Sequence, residues 1–88
     1  MNKYIEFGLM PKQLQNTALS QRIVFCIKEL RKSKNITLEV FYFDTGIHLA
    51  RIEQGKQNMT VATLSKICDY LDIRLSDFFK LVEAVEPN

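Results

Sequence analysis

The chain has 88 residues, which is enough for one domain with a single hydrophobic core and too few for two domains. Hydrophobic residues make up 47% of it, which argues against disorder, and its 3 Gly and 2 Pro are too few for a many-turned β-sandwich. The formal net charge of +2 is too small to indicate a nucleic-acid partner by itself.

Residues 1–15 differ in pattern from the rest and are predicted to form an N-terminal arm. Polar and apolar residues alternate in part over residues 3–7, and a glycine and a proline then interrupt the alternation. The arm is either a short strand, which needs a partner that a second copy could supply, or a loop that lays Tyr4 and Phe7 on the core. The loop is favoured, and the arm remains a candidate dimer contact.

The first helix is predicted from about residue 17 to residue 33, with Asn16 or Thr17 as its cap. Its apolar face is formed by Leu19, Ile23, Cys26, Ile27 and Leu30. Near its C-terminal end lie Lys28, Arg31, Lys32 and Lys34. Cations there complement the helix dipole, so this cluster fits a solvated helix end as well as a surface for an anionic partner.

Two short helices joined by a tight turn follow. Thr37 is predicted to cap the second helix, at about residues 38–43, in which Val40, Phe41 and Phe43 are the apolar residues. An Asp-Thr-Gly turn then precedes the third helix, at about residues 47–54. Gly55 is expected to end that helix in the left-handed conformation. The inward-facing residues of the third helix are Leu49 and Ile52.

Thr60 is predicted to cap a fourth helix, and Ser76 to cap a fifth helix at about residues 77–83. The apolar residues of the fourth helix are Val61, Leu64, Ile67, Cys68 and Leu71. The helical domain thus covers residues 16–83, and residues 84–88 form a tail that is expected to fray. Because the alternating helix and strand patterns of a parallel sheet are absent, the predicted fold class is all-α with five helices.

Side chains for metal or catalytic chemistry are sparse. Cys26 and Cys68 lie far apart, and His48 is the only histidine, so the roughly four ligands of a zinc site cannot be assembled. Asp44 is the acid closest to His48 before it in sequence, but one such pair is weak evidence for catalysis. We expect no enzyme activity, no cofactor and no metal.

The expected location is the cytoplasm, with no membrane partner. No run of about 18 apolar residues is present, and the N-terminus lacks a signal-peptide pattern. Both thiols are expected to pack in the core as small apolar groups in a reducing compartment.

A series of short motifs follows the turn in a fixed order: Ile-Glu-Gln-Gly at residues 52–55, a polar loop at 56–60, a Leu-rich helix at 64–71, Asp-Ile at 72–73 and a short helix at 76–79. With residues 27–31 and 36–39 upstream, this order resembles the lambda repressor-like (XRE/Cro) family of helix-turn-helix regulators. The resemblance covers about residues 20–81. It implies a five-helix DNA-binding domain whose third helix lies in the major groove of duplex DNA.

Two features depart from that family. Leu38 stands where the family usually has a glutamine that contacts phosphate or a base. The spacing from Arg31 to Glu53 is also about three residues shorter than is usual for such domains.

Relative to the family, the shorter spacing can result from a shorter turn or from a shorter third helix. If the turn is shorter, Thr45 caps a full third helix; if residues 46–47 remain as the turn, the third helix loses nearly one helical turn and the positions that normally contact bases. The first arrangement is preferred, because Thr45 has the chemistry of a cap and His48 and Arg51 then share one exposed face.

The resemblance implies which residues contact DNA. Arg51 is the best candidate for a base contact, because a guanidinium can bond to O6 and N7 of guanine; the alternative is an ion pair with Glu53 or another acid. His48 either donates to a base or phosphate, with tighter binding at lower pH, or has no role. Ile47 either contacts a thymine methyl group or belongs to the core. Glu53 is expected to be structural.

The residues around the third helix are expected to contact the phosphate backbone. The loop after that helix positions the domain, while Thr37 and Thr45 present hydroxyl groups and helix N-terminal amides to phosphates. The complete set of predicted DNA-binding residues is Thr37, Thr45, Gly46, His48, Arg51, Gln54, Lys56, Gln57 and Asn58.

These inferences predict a sequence-specific transcription regulator that binds double-stranded DNA, with a homodimer on two half-sites about 34–36 Å apart. The arm and the aromatic pair Phe78-Phe79 of the fifth helix are the candidate dimer contacts. The alternative is a protein-interaction module, antitoxin-like or an adaptor, that has the same fold but weak or no base recognition. Leu38, Gly46 and the shortened spacing favour this alternative, whereas the basic end of the first helix, Arg51 and Lys56 favour DNA binding.

Overall fold

The computed structural model describes residues 17–55 and 58–85. These residues form five helices and no strand, which confirms the all-α prediction. The helices are α1 Thr17–Ser33, α2 Leu38–Thr45, α3 Leu49–Glu53, α4 Val61–Tyr70 and α5 Leu75–Ala84. The predicted arm lies outside the described residues, as do Asn16, Lys56, Gln57 and most of the predicted tail.

Side-chain caps begin two of the helices as the sequence predicts. The Thr37 hydroxyl accepts a hydrogen bond from the amide of Val40 at 3.1 Å, and the Thr60 hydroxyl accepts one from the amide of Thr63 at 3.1 Å. Both bonds satisfy amides that have no partner within the helix. The predicted caps of α2 and α4 are therefore confirmed.

The predicted Ser76 cap of α5 is wrong. α5 begins at Leu75, and the residue before it, Arg74, has the extended backbone of a cap but makes no capping hydrogen bond through its side chain. The Arg74 carbonyl already accepts the amide of Phe78 at 2.8 Å, so the helix starts earlier than predicted. Asp77 lies in the first turn, where its negative charge complements the helix dipole.

One hydrophobic core joins all five helices. Its buried residues are Cys26, Ile27, Phe41, Leu49, Ile52, Leu64, Ile67, Cys68, Leu71, Phe78 and Val82. The two cysteines are free and buried, as predicted, and burial raises the pKa of both thiols. α1 packs against both α5 and α3, and α3 also packs against α2. The core thus fixes the position of the short third helix.

Several of the apolar residues from which the helices were predicted are on the surface. In α2 only Phe41 is buried, whereas Val40 is 47% exposed and Phe43 is 88% exposed. An eight-residue helix has room for one narrow buried stripe, here at Phe41 with the half-buried Leu38 and Thr45. Leu19 in α1 and Val61 in α4, which belong to the predicted apolar sets of their helices, are also exposed.

In the part of the chain that the structure describes, no helix combines the length and the apolar character needed to cross a membrane.

Tyr70 connects α4 to α2. Its ring meets the ring of Phe41 edge-on, with centroids 4.9 Å apart, and its hydroxyl donates a hydrogen bond to the Asp44 carboxylate. The hydrogen bond to Asp44 raises the pKa of Tyr70, with desolvation and the Asp44 charge acting in the same direction. The neutral phenol is therefore favoured by folding.

We predict that the hydrogen bond from Tyr70 to Asp44 contributes fully to stability below about pH 10, the ordinary pKa of tyrosine. The contribution is lost as the pH rises through the higher pKa that Tyr70 has in the folded state. Tyr70→Phe should lower the free energy of unfolding at neutral pH. It should also reduce the decrease in that free energy between neutral and alkaline pH. Urea unfolding of both proteins at neutral and alkaline pH measures this, with Tyr42→Phe as the control. Equal alkaline losses in wild type and Tyr70→Phe would contradict it.

Candidate nucleic-acid interface

The helix-turn-helix consists of α2, residues 46–48 and α3. Gly46 follows the last residue of α2 with φ 74°, and its amide donates to the Tyr42 carbonyl at 2.8 Å. This left-handed backbone is readily adopted by glycine and ends the helix. Gly55, with φ 76°, has the left-handed conformation predicted for the end of α3. Each of the two helices of the motif is therefore followed by a glycine in the left-handed conformation.

The preferred placement of Thr45 as the cap of a full third helix is wrong. Thr45 is the last residue of α2, where its hydroxyl donates to the Phe41 carbonyl at 2.8 Å and accepts the Ile47 amide at 3.0 Å. The residue before α3 is His48, whose side chain makes no capping bond, and α3 has only five residues. Because the chain turns at Gly46, the missing residues are taken from the third helix and not from the turn.

A buried ion pair holds α3 against α1. Arg31 Nε lies 3.0 Å from Glu53 Oε2 and Arg31 Nη2 lies 3.3 Å from Glu53 Oε1, with side-chain exposures of 10% and 8%. Arg31 Nη1 also donates to the Ile36 carbonyl at 2.9 Å. The guanidinium thus joins the end of α1, the segment before α2 and the end of α3. The prediction that Glu53 is structural is confirmed.

Arg31 is a structural residue that the sequence reasoning placed in a basic surface cluster. Its side chain is buried, so it does not belong to the exposed charge at the end of α1. It lies four residues after Ile27, which is fully buried, and this spacing places both on one face of α1. That spacing is the signal that could have identified it.

The ion pair leaves Arg51 without an acidic partner. Arg51 is exposed on α3, and among the described residues its guanidinium takes part in no hydrogen bond or salt bridge. The alternative in which Arg51 pairs with Glu53 is therefore wrong, because Glu53 is bonded to Arg31. Arg51 is therefore an exposed cation on α3 that no acid in the described part of the chain compensates.

His48 is exposed and stacks on the ring of Tyr42, with centroids 4.3 Å apart and planes at 28°. The Arg51 amide donates to the His48 carbonyl at 3.1 Å, so the two residues follow each other along the same turn. Gln54 continues this side and is exposed. His48, Arg51 and Gln54 thus follow one another at intervals of three residues, and all three are exposed. Tyr42 is a member of this surface that the sequence reasoning did not include.

The remaining predicted site residues lie around this group. Thr37 is exposed at the start of α2, with its hydroxyl used as the cap, and Gly46 and Asn58 are exposed. Ile47 is half-buried and packs against the core. Lys56 and Gln57 lie outside the described residues.

The geometry offers little for other chemistry. Within residues 17–55 and 58–85, His, Cys, Asp and Glu side chains form no group of three or more that could hold a metal ion. Asp44, the acid that precedes His48 in sequence, accepts a hydrogen bond from the Tyr70 hydroxyl.

We predict that Glu53→Gln lowers the free energy of unfolding by about 3–5 kcal/mol, because it leaves the buried Arg31 charge without its counter-ion. Glu83→Gln is the matched control, since Glu83 is exposed on α5, and it should change stability by less than about 0.5 kcal/mol. Denaturant unfolding of the three proteins gives both values. Equal stability of the two variants would show that the ion pair does not hold α3.

Comparison with known proteins agrees with this geometry. A family model described as the Cro/C1-type HTH DNA-binding domain matches residues 27–84. The fold is similar to the wild-type restriction-modification controller protein C.Esp1396I at 23% identity and TM-score 0.73, covering 83% of this chain and 100% of that one. It is also similar to the C.Esp1396I tetramer in complex with its natural 35 base-pair operator, at 24% identity and TM-score 0.70, covering 77% and 93%. No curated protein sequence matches the chain.

The family match covers the end of α1 and all of α2 to α5, including the turn and the Arg31–Glu53 ion pair. The resemblance stated from the sequence motifs is therefore confirmed, and with it the expectation of a DNA-binding domain. The chain belongs to the family of Cro/C1-type HTH DNA-binding domains.

Proposed function

We propose that the protein is a transcription regulator that binds double-stranded DNA sequence-specifically, with α3 and the residues beside it in the major groove. The observation that carries this proposal is the outward-facing Arg51, which has no acidic partner among the described residues. The restriction-modification controller protein of similar fold is in complex with its operator, which supports duplex DNA as the partner. We also propose a cytoplasmic location, because duplex DNA is the partner.

Arg51 is the proposed base-contacting residue. A guanidinium can donate two parallel hydrogen bonds to O6 and N7 of guanine, a pattern that no other base pair offers in the major groove. The buried ion pair supports this role, because Glu53 would otherwise lie two residues from Arg51 as a competing acceptor and as a charge that repels phosphate. Gln54 follows on the same exposed side and is the second candidate.

Phosphate contacts are proposed at the edges of this surface. The start of α2, capped by Thr37, directs free amides outward, and Asn58 is exposed in the segment that follows α3. Lys56 and Gln57, in the same segment, are proposed to contribute through charge and hydrogen bonding. Such contacts position a domain on the duplex and carry no base preference.

The shortened third helix favours one competing function. With only five residues, α3 presents fewer side chains to a groove than a full helix would, as expected of a protein-interaction module that no longer recognises bases. Arg51, which has no acidic partner within residues 17–55 and 58–85, favours DNA. No catalytic step is part of either proposal.

We predict that the wild-type protein enriches a specific sequence from random duplexes, and that affinity falls with salt at a log–log slope near −0.9 per phosphate contact. Arg51→Ala should lose preference at one base pair by about tenfold. Arg51→Lys should lose the same preference but retain most non-specific affinity, because it keeps the charge without the planar fork.

Lys80→Ala is the control for removal of one positive charge. Lys80 is exposed on α5, outside the proposed DNA-binding surface, and its Nζ lies 3.9 Å from Asp77 Oδ1. Its base preference should equal that of the wild type. Failure of the wild-type protein to bind any duplex at low salt would contradict the proposed function and favour the protein-interaction module.

We further propose that the protein binds as a homodimer, because one domain of this size makes few DNA contacts. Of the aromatic pair in α5, Phe78 is fully buried in the core of its own chain, so Phe79, 38% exposed, is the residue available to a partner. Sedimentation at micromolar concentration should show a dimer that Phe79→Ser weakens and Phe43→Ser does not. A monomer both with and without DNA would remove the homodimer.

A further inference from the structure

We propose that the stacked rings of Tyr42 and His48 form a specificity-determining surface that compensates for the base-reading positions missing from the shortened third helix. The inference rests on the proposed DNA-binding role of α3 and adds two side chains to it. Tyr42 acts as a positioning residue for His48, and His48 contacts base edges in the major groove.

The two rings connect α2 to the start of α3. Their centroids are 4.3 Å apart and their planes are inclined by 28°, which is a stacked arrangement. Neither ring is part of the buried core: Tyr42 is 47% exposed, and His48 is exposed. The pair is therefore a surface feature with polar edges open to solvent.

Hydrogen bonds fix the backbone between the two rings. The Gly46 amide donates to the Tyr42 carbonyl at 2.8 Å, the Ile47 amide donates to the Thr45 hydroxyl at 3.0 Å, and the Leu49 amide donates to the Ile47 carbonyl at 2.9 Å. A side chain that is held in place before binding loses less conformational entropy when it makes a contact. The stack and the turn together hold the imidazole in one orientation.

The composition of α3 explains why contact groups outside the helix are needed. Leu49 and Ile52 are buried, and Glu53 is bonded to Arg31, so only Ala50 and Arg51 remain in the helix to face a groove. Of these, only Arg51 is polar. One such side chain specifies little sequence, because each good base contact discriminates at a single base pair.

The imidazole that the stack positions supplies the missing chemistry next to Arg51. The two ring nitrogens of an imidazole can donate or accept hydrogen bonds, and base edges in the major groove present both donors and acceptors. His48 precedes Arg51 by three residues, and its carbonyl accepts the Arg51 amide at 3.1 Å, so the two residues are joined by one turn of backbone. Tyr42, His48 and Arg51 thus form one continuous exposed surface.

The experiment compares sequence enrichment from random duplexes, and the ratio of affinities for the enriched and a scrambled duplex, across variants of this surface. Tyr42→Ala and His48→Ala should each lower that ratio about tenfold at the same base pair, distinct from the one affected by Arg51→Ala. The double variant should lose no more than either single variant, because the two residues act as a unit.

Two further variants separate the stack from a general effect on α2. Tyr42→Phe keeps the aromatic ring and should retain most of the wild-type ratio. Phe43→Ala removes a neighbouring side chain that is 88% exposed, and it should leave base preference unchanged. Thermal unfolding confirms that each variant is folded; if Tyr42→Ala is not, His48→Ala decides, because the exposed His48 side chain makes no capping bond.

The outcomes distinguish this inference from the proposed function. A wild-type protein that enriches no sequence contradicts the proposed function. A wild-type protein whose preference is lost in Arg51→Ala but unchanged in Tyr42→Ala and His48→Ala overturns the role of the stack while the proposed function stands. An equal loss in Tyr42→Phe or in Phe43→Ala also overturns it, because the ring stack would then not be the cause.

Discussion

The buried ion pair between Arg31 and Glu53 is the interaction on which the geometry of the site depends. Taking two charges out of water is costly, and the pair is stable only where both charges have partners. Here the guanidinium donates to Glu53 and to the Ile36 carbonyl, so that α1, the start of α2 and the end of α3 meet at one point. A five-residue helix would not persist alone, and this pair, with Leu49 and Ile52 in the core, holds it in place.

The same interaction determines the charge of the surface that we propose to face DNA. Because Glu53 is neutralised from within the protein, it neither pairs with Arg51 nor presents a free negative charge beside it. Arg51 is an exposed cation on a helix that the Arg31–Glu53 ion pair holds against α1. Stability and the proposed recognition are thus coupled in this domain, because the residue that anchors α3 also leaves Arg51, the proposed base contact, available.

Much of the fold can be predicted from local patterns in the sequence. Helical spacing of apolar residues identifies all five helices, and Thr37, Thr60 and Gly55 mark helix ends through chemistry that acts within a few residues. Thr45 was harder to place, because a threonine caps a following helix as readily as its hydroxyl bonds back to the carbonyl four residues earlier. The turn at Gly46 decides between the two roles, because it makes Thr45 the last residue of α2.

The interface was less predictable, because its key contacts join residues that no local pattern connects. Arg31 looked like part of a solvated basic cluster, and its partner lies in a different helix. The Tyr42–His48 stack depends on how the turn folds back, and Phe43, one of the apolar residues from which the second helix was predicted, is exposed. Tertiary geometry, which local spacing does not encode, determines each of these outcomes.

The most direct test of the account is a nuclear magnetic resonance titration of the labelled protein with a duplex that it selects. The account predicts the largest changes in the side-chain signals of Tyr42, His48 and Arg51, with those of Arg31 and Glu53 little affected behind them. Changes confined to α5 or to the outer face of α2 around Phe43, with Arg51 unaffected, would contradict it.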